Sequence, residues 1–97
     1  MTSSNEYPEK SQPVEAWCDP KSLHVKLKDG REVITPLWWY PSLLGAKASQ
    51  RNNVELMFDG VHWPDLDEDL SVKGMLAGWR YPDAVKPSAA QTEAEAA

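Results

Sequence analysis

Cysteine is nearly absent from the sequence: Cys18 is the only one in 97 residues, so no disulfide can form within the chain. A small domain without disulfides is typical of a reducing compartment. The sequence also lacks any run of about 18 apolar residues and any N-terminal signal pattern. We therefore expect a cytoplasmic protein that makes no contact with a membrane.

An excess of basic residues is missing as well. Ten Lys and Arg stand against 15 Asp and Glu, which gives a formal net charge of −5. A nucleic-acid-binding domain normally carries a basic patch or stripe that neutralises phosphates. The charge therefore argues against direct binding to nucleic acid, and it leaves open an acidic surface that binds a basic protein.

Large apolar side chains are scarce at the two ends of the chain. Residues 1–13 and 82–97 consist mostly of Ser, Gln, Glu, Pro and Ala. Such segments cannot bury enough apolar surface to offset the entropy lost on ordering. We therefore predict disordered tails at 1–13 and 82–97 and one folded domain at 14–81. All five tryptophans lie inside that domain and are expected to supply much of its core.

The domain begins with residues that alternate between apolar and polar, which predicts strands near 14–18, 23–28 and 31–37. A short helix, weakened by Gly45, is expected near 43–48. Two further strands are predicted at 54–58 and 61–63. The expected order is β-β-β-α-β-β-α, a small single α+β domain of antiparallel hairpins with two short helices.

The Asp29-Gly30 pair predicts a hairpin turn, and two registers are compatible with it. A two-residue loop places Lys26 opposite Val33. A bulged loop with Gly30 in the left-handed conformation instead pairs Lys26 with Glu32 and Val25 with Val33. The second register brings opposite charges and like apolar groups together, so we favour it.

The last helix has recognisable signals at both ends. Ser71 is a good N-cap, and Gly78 is suited to close the helix. One apolar face is predicted from the spacing of Val72, Met75, Leu76 and Trp79.

A dense acidic block precedes this helix. Four carboxylates occur within five residues: Asp65, Asp67, Glu68 and Asp69. Such charges must be solvated or must face a cation or a basic partner, so we expect them outside the core. Three interpretations are open: a solvated turn that caps the helix, a docking surface for a basic partner, or a metal site.

The metal and catalytic interpretations have little support in the sequence. Asp65, Asp67 and Asp69 have the spacing of a calcium loop, but Leu70 and Leu76 occupy the positions where that loop needs Gly and Glu. His62, close to Asp65 and Asp67, could act in acid–base catalysis, yet no recognisable nucleophile accompanies it. We predict no catalytic residue, no metal ligand and no cofactor.

Trp38 and Trp39 are adjacent in a segment expected to be extended. Neighbouring residues of an extended chain point to opposite faces. Both rings can be buried only if the segment is covered on two sides, so one of them is a candidate for partner binding, although core packing is the role we favour for the pair.

Several short motifs follow one another along the chain: Asp29-Gly30-Arg31, Pro36-Leu37-x-Trp39-x-Pro41, Leu43-Leu44, Ala46 with Gln50-Arg51, the block from His62 to Val72, and Gly78. Over roughly residues 13–78 they resemble the bacterial domain-of-unknown-function family 2442. The resemblance implies a small α+β protein whose molecular function is unassigned. Some members are fused to a DNA-binding helix-turn-helix domain, and many are suspected to be the antitoxin of a toxin–antitoxin pair.

The sequence thus predicts a non-catalytic interaction module, comparable to an antitoxin, that binds a small basic protein. The expected contact residues are Asp65, Asp67, Glu68, Asp69, Trp38 and Trp39. Two other classes remain open. One is a metal-dependent enzyme that uses the cluster at 62–69, and the other is a transcriptional regulator that acts with a partner.

Overall fold

The computed structural model describes residues 11–87, which form two three-stranded antiparallel sheets and short helices. The first sheet contains β1 (Pro13–Cys18), β2 (Ser22–Leu27) and β3 (Glu32–Pro36), and the second contains β4 (Glu55–Leu56), β5 (Gly60–Trp63) and β6 (Glu68–Ser71). A 3-10 turn (Leu37–Trp39), α1 (Pro41–Leu44) and α2 (Ala48–Asn52) connect the sheets, and α3 (Val72–Ala77) follows β6. The α+β class is confirmed, while the described residues contain one strand and one helix more than predicted. None of these helices is long and apolar enough to cross a membrane.

Each sheet is a meander in which every strand pairs with the next one along the chain. The predicted register of the β2–β3 hairpin is confirmed, since Val25 pairs with Val33 and Lys26 pairs with Glu32. Gly30 has φ = 98°, a value that a residue with a Cβ rarely adopts. This is the left-handed conformation that the bulged loop requires. Charge and apolar pairing were thus sufficient to choose between the two registers.

The fold begins slightly before the predicted domain boundary. Ser11 is buried, and the Gln12 carbonyl accepts a hydrogen bond of 2.8 Å from the Lys28 amide. β1 starts at Pro13, and a bulge after it leaves Val14 exposed. Residues 82–87 contain no helix or strand. The remainder of the two predicted tails, residues 1–10 and 88–97, lies outside the described residues.

The core lies between the two sheets and the helices. Its buried apolar side chains are Leu23, Val25, Leu27, Leu37, Tyr40, Leu43, Val61, Trp63, Leu70, Val72 and Met75. Trp63 is the only one of the five tryptophans that is fully buried, and its indole N–H donates to the Arg51 carbonyl at 3.0 Å. The expected tryptophan-rich core is therefore replaced by one tryptophan packed among Tyr40, Met75 and aliphatic side chains.

α3 has the predicted ends but only half of the predicted apolar face. The Ser71 hydroxyl accepts from the Gly74 amide at 2.9 Å, and Gly78 has φ = 84°. Val72 and Met75 are buried, whereas Leu76 and Trp79 are 42% and 47% exposed. The helix is only six residues long, and the left-handed turn at Gly78 directs Trp79 away from the buried stripe.

Candidate functional site

The acidic block is part turn and part strand. Asp67 has φ = 51° in the turn after β5, and β6 begins at Glu68. In the β5–β6 pair, Trp63 lies opposite Glu68 and His62 lies opposite Asp69. Pairing with β5 therefore extends the end of the block into the second sheet, and only its first part is an exposed turn, one of the three interpretations that the sequence left open.

The alternation of β6 sends its carboxylates to opposite sides of the sheet. The Asp69 side chain is 68% exposed, whereas Glu68 is only 5% exposed and faces inward. Glu68 accepts hydrogen bonds from the Ser42 hydroxyl at 2.6 Å and the Tyr81 hydroxyl at 2.5 Å. The expectation that Glu68 lies outside the core is thus wrong, because these two donors replace the water that would solvate its charge. Donation to Glu68 also raises the pKa of Tyr81 to about 12.

The solvent side of the second sheet carries a cluster of charges. Glu55 on β4, His62 on β5 and Asp69 on β6 lie side by side in register, with Asp67 close to them. We call these four residues the acidic face. The His62 ring hydrogen-bonds to Asp69, and this bond, helped by the charges of Asp69, Glu55 and Asp67, raises the pKa of His62. The sequence had placed His62 beside Asp65 and Asp67.

Among the described residues, His62 is the only cationic partner of the carboxylates of the acidic face. Within residues 11–87, no Lys or Arg forms a salt bridge with Glu55, Asp67 or Asp69. Asp65 lies apart in the turn, where its carboxylate accepts a hydrogen bond of 3.1 Å from the Asn53 side-chain amide.

Trp38 and Trp39 are partly buried and belong to a different part of the surface. Their rings meet edge to face, with centroids 6.4 Å apart. The Arg80 guanidinium lies 5.3 Å from the centre of the Trp38 ring, and the Trp39 carbonyl accepts from the Tyr81 amide at 3.2 Å. Arg80 and Tyr81, which follow α3, therefore cover part of the tryptophan pair. The acidic face is built by β4, β5 and β6 and does not include the pair.

A groove of about 590 Å³ runs beside β6 and α3. Its buried lining includes Tyr40, Leu70 and Met75, while Asp69 and Trp79 are exposed residues of the same lining. Sequence reasoning missed this groove because it placed Trp79 in the core and read Asp69 as part of a turn.

A second charged histidine site lies on the solvent side of the first sheet. His24 Nδ1 is 2.8 Å from Glu32 Oε2, and Nε2 is 2.6 Å from Asp19 Oδ2. The ring also stacks on Trp17, with centroids 4.9 Å apart. Hydrogen bonding to Glu32, then to Asp19, raises the pKa of His24. No sequence motif indicated this site, although the predicted pairing of Lys26 with Glu32 already placed Glu32 beside β2.

In the part of the chain that the structure describes, neither histidine site lies beside an activated nucleophile or a metal-ligand cluster. Burial raises the pKa of Cys18 to about 11, so the thiol stays protonated near neutral pH and is a poor nucleophile. Over residues 11–87, no group of three or more His, Cys, Asp or Glu side chains is arranged to hold a metal ion.

Comparison with known proteins gives a family and a fold. The model of a family described as protein of unknown function (DUF2442) matches residues 13–81. A crystal structure of a protein of unknown function from Rhodospirillum rubrum is 31% identical, with a TM-score of 0.66, and the match covers 75% of this chain and 93% of that one. An uncharacterized protein from Chromobacterium violaceum, solved by NMR, is 23% identical with the same TM-score of 0.66, over 95% of this chain and 80% of that one. No curated protein matches the chain.

Proposed function

This chain belongs to the DUF2442 family of proteins of unknown function, and from that premise we propose that it is a non-catalytic interaction module that binds a small basic protein on its acidic face. The face is built on strands in register, so its charges are held at fixed spacing. We further propose that binding neutralises the partner, as an antitoxin would, and that it takes place in the cytoplasm. The antitoxin role is supported by the resemblance described above.

The observation that carries the proposal is the unbalanced charge of the acidic face. Three exposed carboxylates surround one histidine, and across residues 11–87 none of the three pairs with Lys or Arg. Exposed charges of one sign steer an oppositely charged partner and raise its association rate. Because such charges remain hydrated, they change the on-rate and its salt dependence more than the dissociation rate.

The contact residues that we propose differ from those predicted from the sequence. Glu68 is buried and holds Ser42 and Tyr81, so the proposal assigns it a structural role. Asp65, Trp38 and Trp39 lie outside the acidic face. We propose that any contact they make with the partner is at the edge of the binding surface. Glu55 and His62 are added because β4 and β5 place them beside Asp69.

The test compares two double variants with the same change in net charge. Asp67→Asn with Asp69→Asn alters the acidic face, and Glu15→Gln with Asp83→Asn alters exposed carboxylates elsewhere. Partners that co-purify with the tagged protein are identified, and the association rate of the purified basic partner is measured at two ionic strengths. We expect only the first variant to slow association and to flatten its salt dependence. Equal slowing by both variants, or by neither, would contradict the proposal.

A further inference from the structure

The second sheet ends in an unpaired strand edge. β6 has β5 on one side and no strand on the other among residues 11–87. An open edge presents backbone N–H and C=O groups that an extended segment of another chain can pair with.

The register shows which groups of β6 point outward. The Val72 amide donates to the Asp59 carbonyl at 3.0 Å, and the pairs Val61–Leu70 and Trp63–Glu68 follow at intervals of two residues. In an antiparallel ladder, hydrogen-bonded and non-hydrogen-bonded pairs alternate. Leu70 and Glu68 therefore bond to β5, while the N–H and C=O of Asp69 and the N–H of Ser71 point away from it.

The groove lies along this same edge, since its lining includes Asp69, Leu70 and Ser71. Asp69 is on the solvent side of the sheet and Leu70 is on the core side. A strand added next to β6 would follow the same alternation. Its side chains would point in turn toward the carboxylates of the acidic face and into the apolar groove.

We propose that the edge of β6 binds an extended antiparallel segment of the basic partner in which Lys or Arg alternates with apolar residues. This inference rests on the proposed function and specifies how the partner binds. The basic side chains lie opposite Asp67 and Asp69, and the apolar side chains enter the groove beside Leu70, Met75 and Trp79. Lys73 also lines the groove, so the charge of the segment belongs on the solvent side rather than in the groove.

A second copy of this chain is a poorer occupant of the edge. Antiparallel pairing of two β6 strands would bring Asp67 and Asp69 of one copy close to those of the other, and like charges opposite one another are destabilising. The same carboxylates that favour a basic segment therefore oppose self-pairing, a common protection of exposed edges.

The probe for this proposal is a synthetic peptide, KVKLKVK, blocked at both ends, with KKVLVKK as a control of equal composition and charge. Directly opposed residues in an antiparallel pair have side chains on the same face, so a lysine lies opposite Asp69 and its own amide faces β6. N-methylation of the lysine amides should weaken binding to the full-length protein about tenfold or more, because the lysine opposite Asp69 can no longer donate to the Asp69 carbonyl and its methyl group holds the two strands apart. N-methylation of the valine and leucine amides, which face away, should leave the affinity nearly unchanged.

Hydrogen exchange in the protein supplies an independent readout. Binding of KVKLKVK should slow exchange at the amides of Asp69 and Ser71, and Asp69→Pro should abolish binding that Asp69→Asn only weakens. Equal affinity for both N-methylated peptides, or for KKVLVKK, would overturn strand pairing. Loss of affinity only when the valine and leucine amides are methylated would overturn the antiparallel arrangement. The proposed function would survive either result if partner association still depended on Asp67 and Asp69.

Discussion

Glu68 keeps its carboxylate inside the fold because the hydroxyls of Ser42 and Tyr81 replace the water it loses. Glu68→Ala leaves both hydroxyls without their acceptor, so we expect the free energy of unfolding to fall by ~2 kcal/mol. Denaturant unfolding measures this, with Asp65→Ala at the exposed turn as the control, expected within about 0.5 kcal/mol of the parent. Similar values for the two variants would contradict a structural role for Glu68.

The pKa of Tyr81 gives a second measure of its hydrogen bond to Glu68. Its pKa is raised to about 12, first by the hydrogen bond to Glu68. Glu68→Gln removes the negative charge that opposes ionisation of the phenol, so the pKa of Tyr81 should fall toward the ordinary tyrosine value. Ultraviolet absorbance of tyrosinate against pH follows this change, and Tyr81→Phe identifies the contribution of Tyr81. An alkaline titration unchanged by Glu68→Gln would show that the hydrogen bond is absent in solution.

Both histidines should make stability depend on pH in the same direction. Hydrogen bonds to Glu32 and Asp69 raise the pKa values of His24 and His62 above the ordinary histidine value of 6.5. Protonation therefore stabilises the folded state below that pH, and the contribution is lost as pH rises through each folded pKa. We expect the free energy of unfolding to decline over this window. Single His24→Gln and His62→Gln variants should each flatten the decline, and the double variant should nearly abolish it.

At the scale of elements, α3 depends on the residue that caps it. Ser71→Ala removes the acceptor for the Gly74 amide and should cost ~1 kcal/mol of unfolding free energy. Ser49→Ala, at an exposed position in α2, is the matched control and should be close to neutral. Thermal or denaturant unfolding of the two variants gives the comparison. A cost for Ser49→Ala as large as that for Ser71→Ala would show that the loss is not specific to the cap.

Two tryptophans should differ sharply in their contribution to the elements that carry them. Trp63 on β5 is fully buried, whereas Trp79 after α3 is 47% exposed. Trp63→Ala should therefore cost ~3–5 kcal/mol, and Trp79→Ala only ~1 kcal/mol. Denaturant unfolding measures both. A large loss for Trp79→Ala would restore the buried helix face that the sequence predicted.

Elements specified by local chemistry could be predicted from the sequence, and those that depend on distant residues could not. The β2–β3 register follows from residues within one hairpin, and the cap at Ser71 follows from one turn of helix. β6 was missed because Asp and Glu are uncommon in strands, so its carboxylates were read as a turn. The burial of Glu68 needs a hydroxyl 26 residues away, at Ser42, for which the sequence carries no local signal.

At the scale of the whole molecule, the boundary of the fold can be tested by truncation. Removal of residues 1–10 and 88–97 is predicted to leave the melting temperature nearly unchanged, because Met1 and Tyr7 are the only large apolar side chains in these segments. Removal of 1–13 with 88–97 should lower it, since Ser11 is buried, Gln12 bonds to Lys28, and Pro13 lies in β1. A scanning calorimetry comparison of the two truncations isolates residues 11–13. Equal melting temperatures would show that these three residues contribute nothing.

Because both sheets are meanders, no strand has to wait for a distant part of the chain before it can pair. Short loops between paired segments lower the entropic barrier to folding. During synthesis, the whole of the first sheet is outside the ribosome once Pro36 has left it, before the second sheet has emerged. The contacts of Ser42 and Tyr81 with Glu68 can form only after the second meander exists, so they belong to the final step in which the two halves are joined.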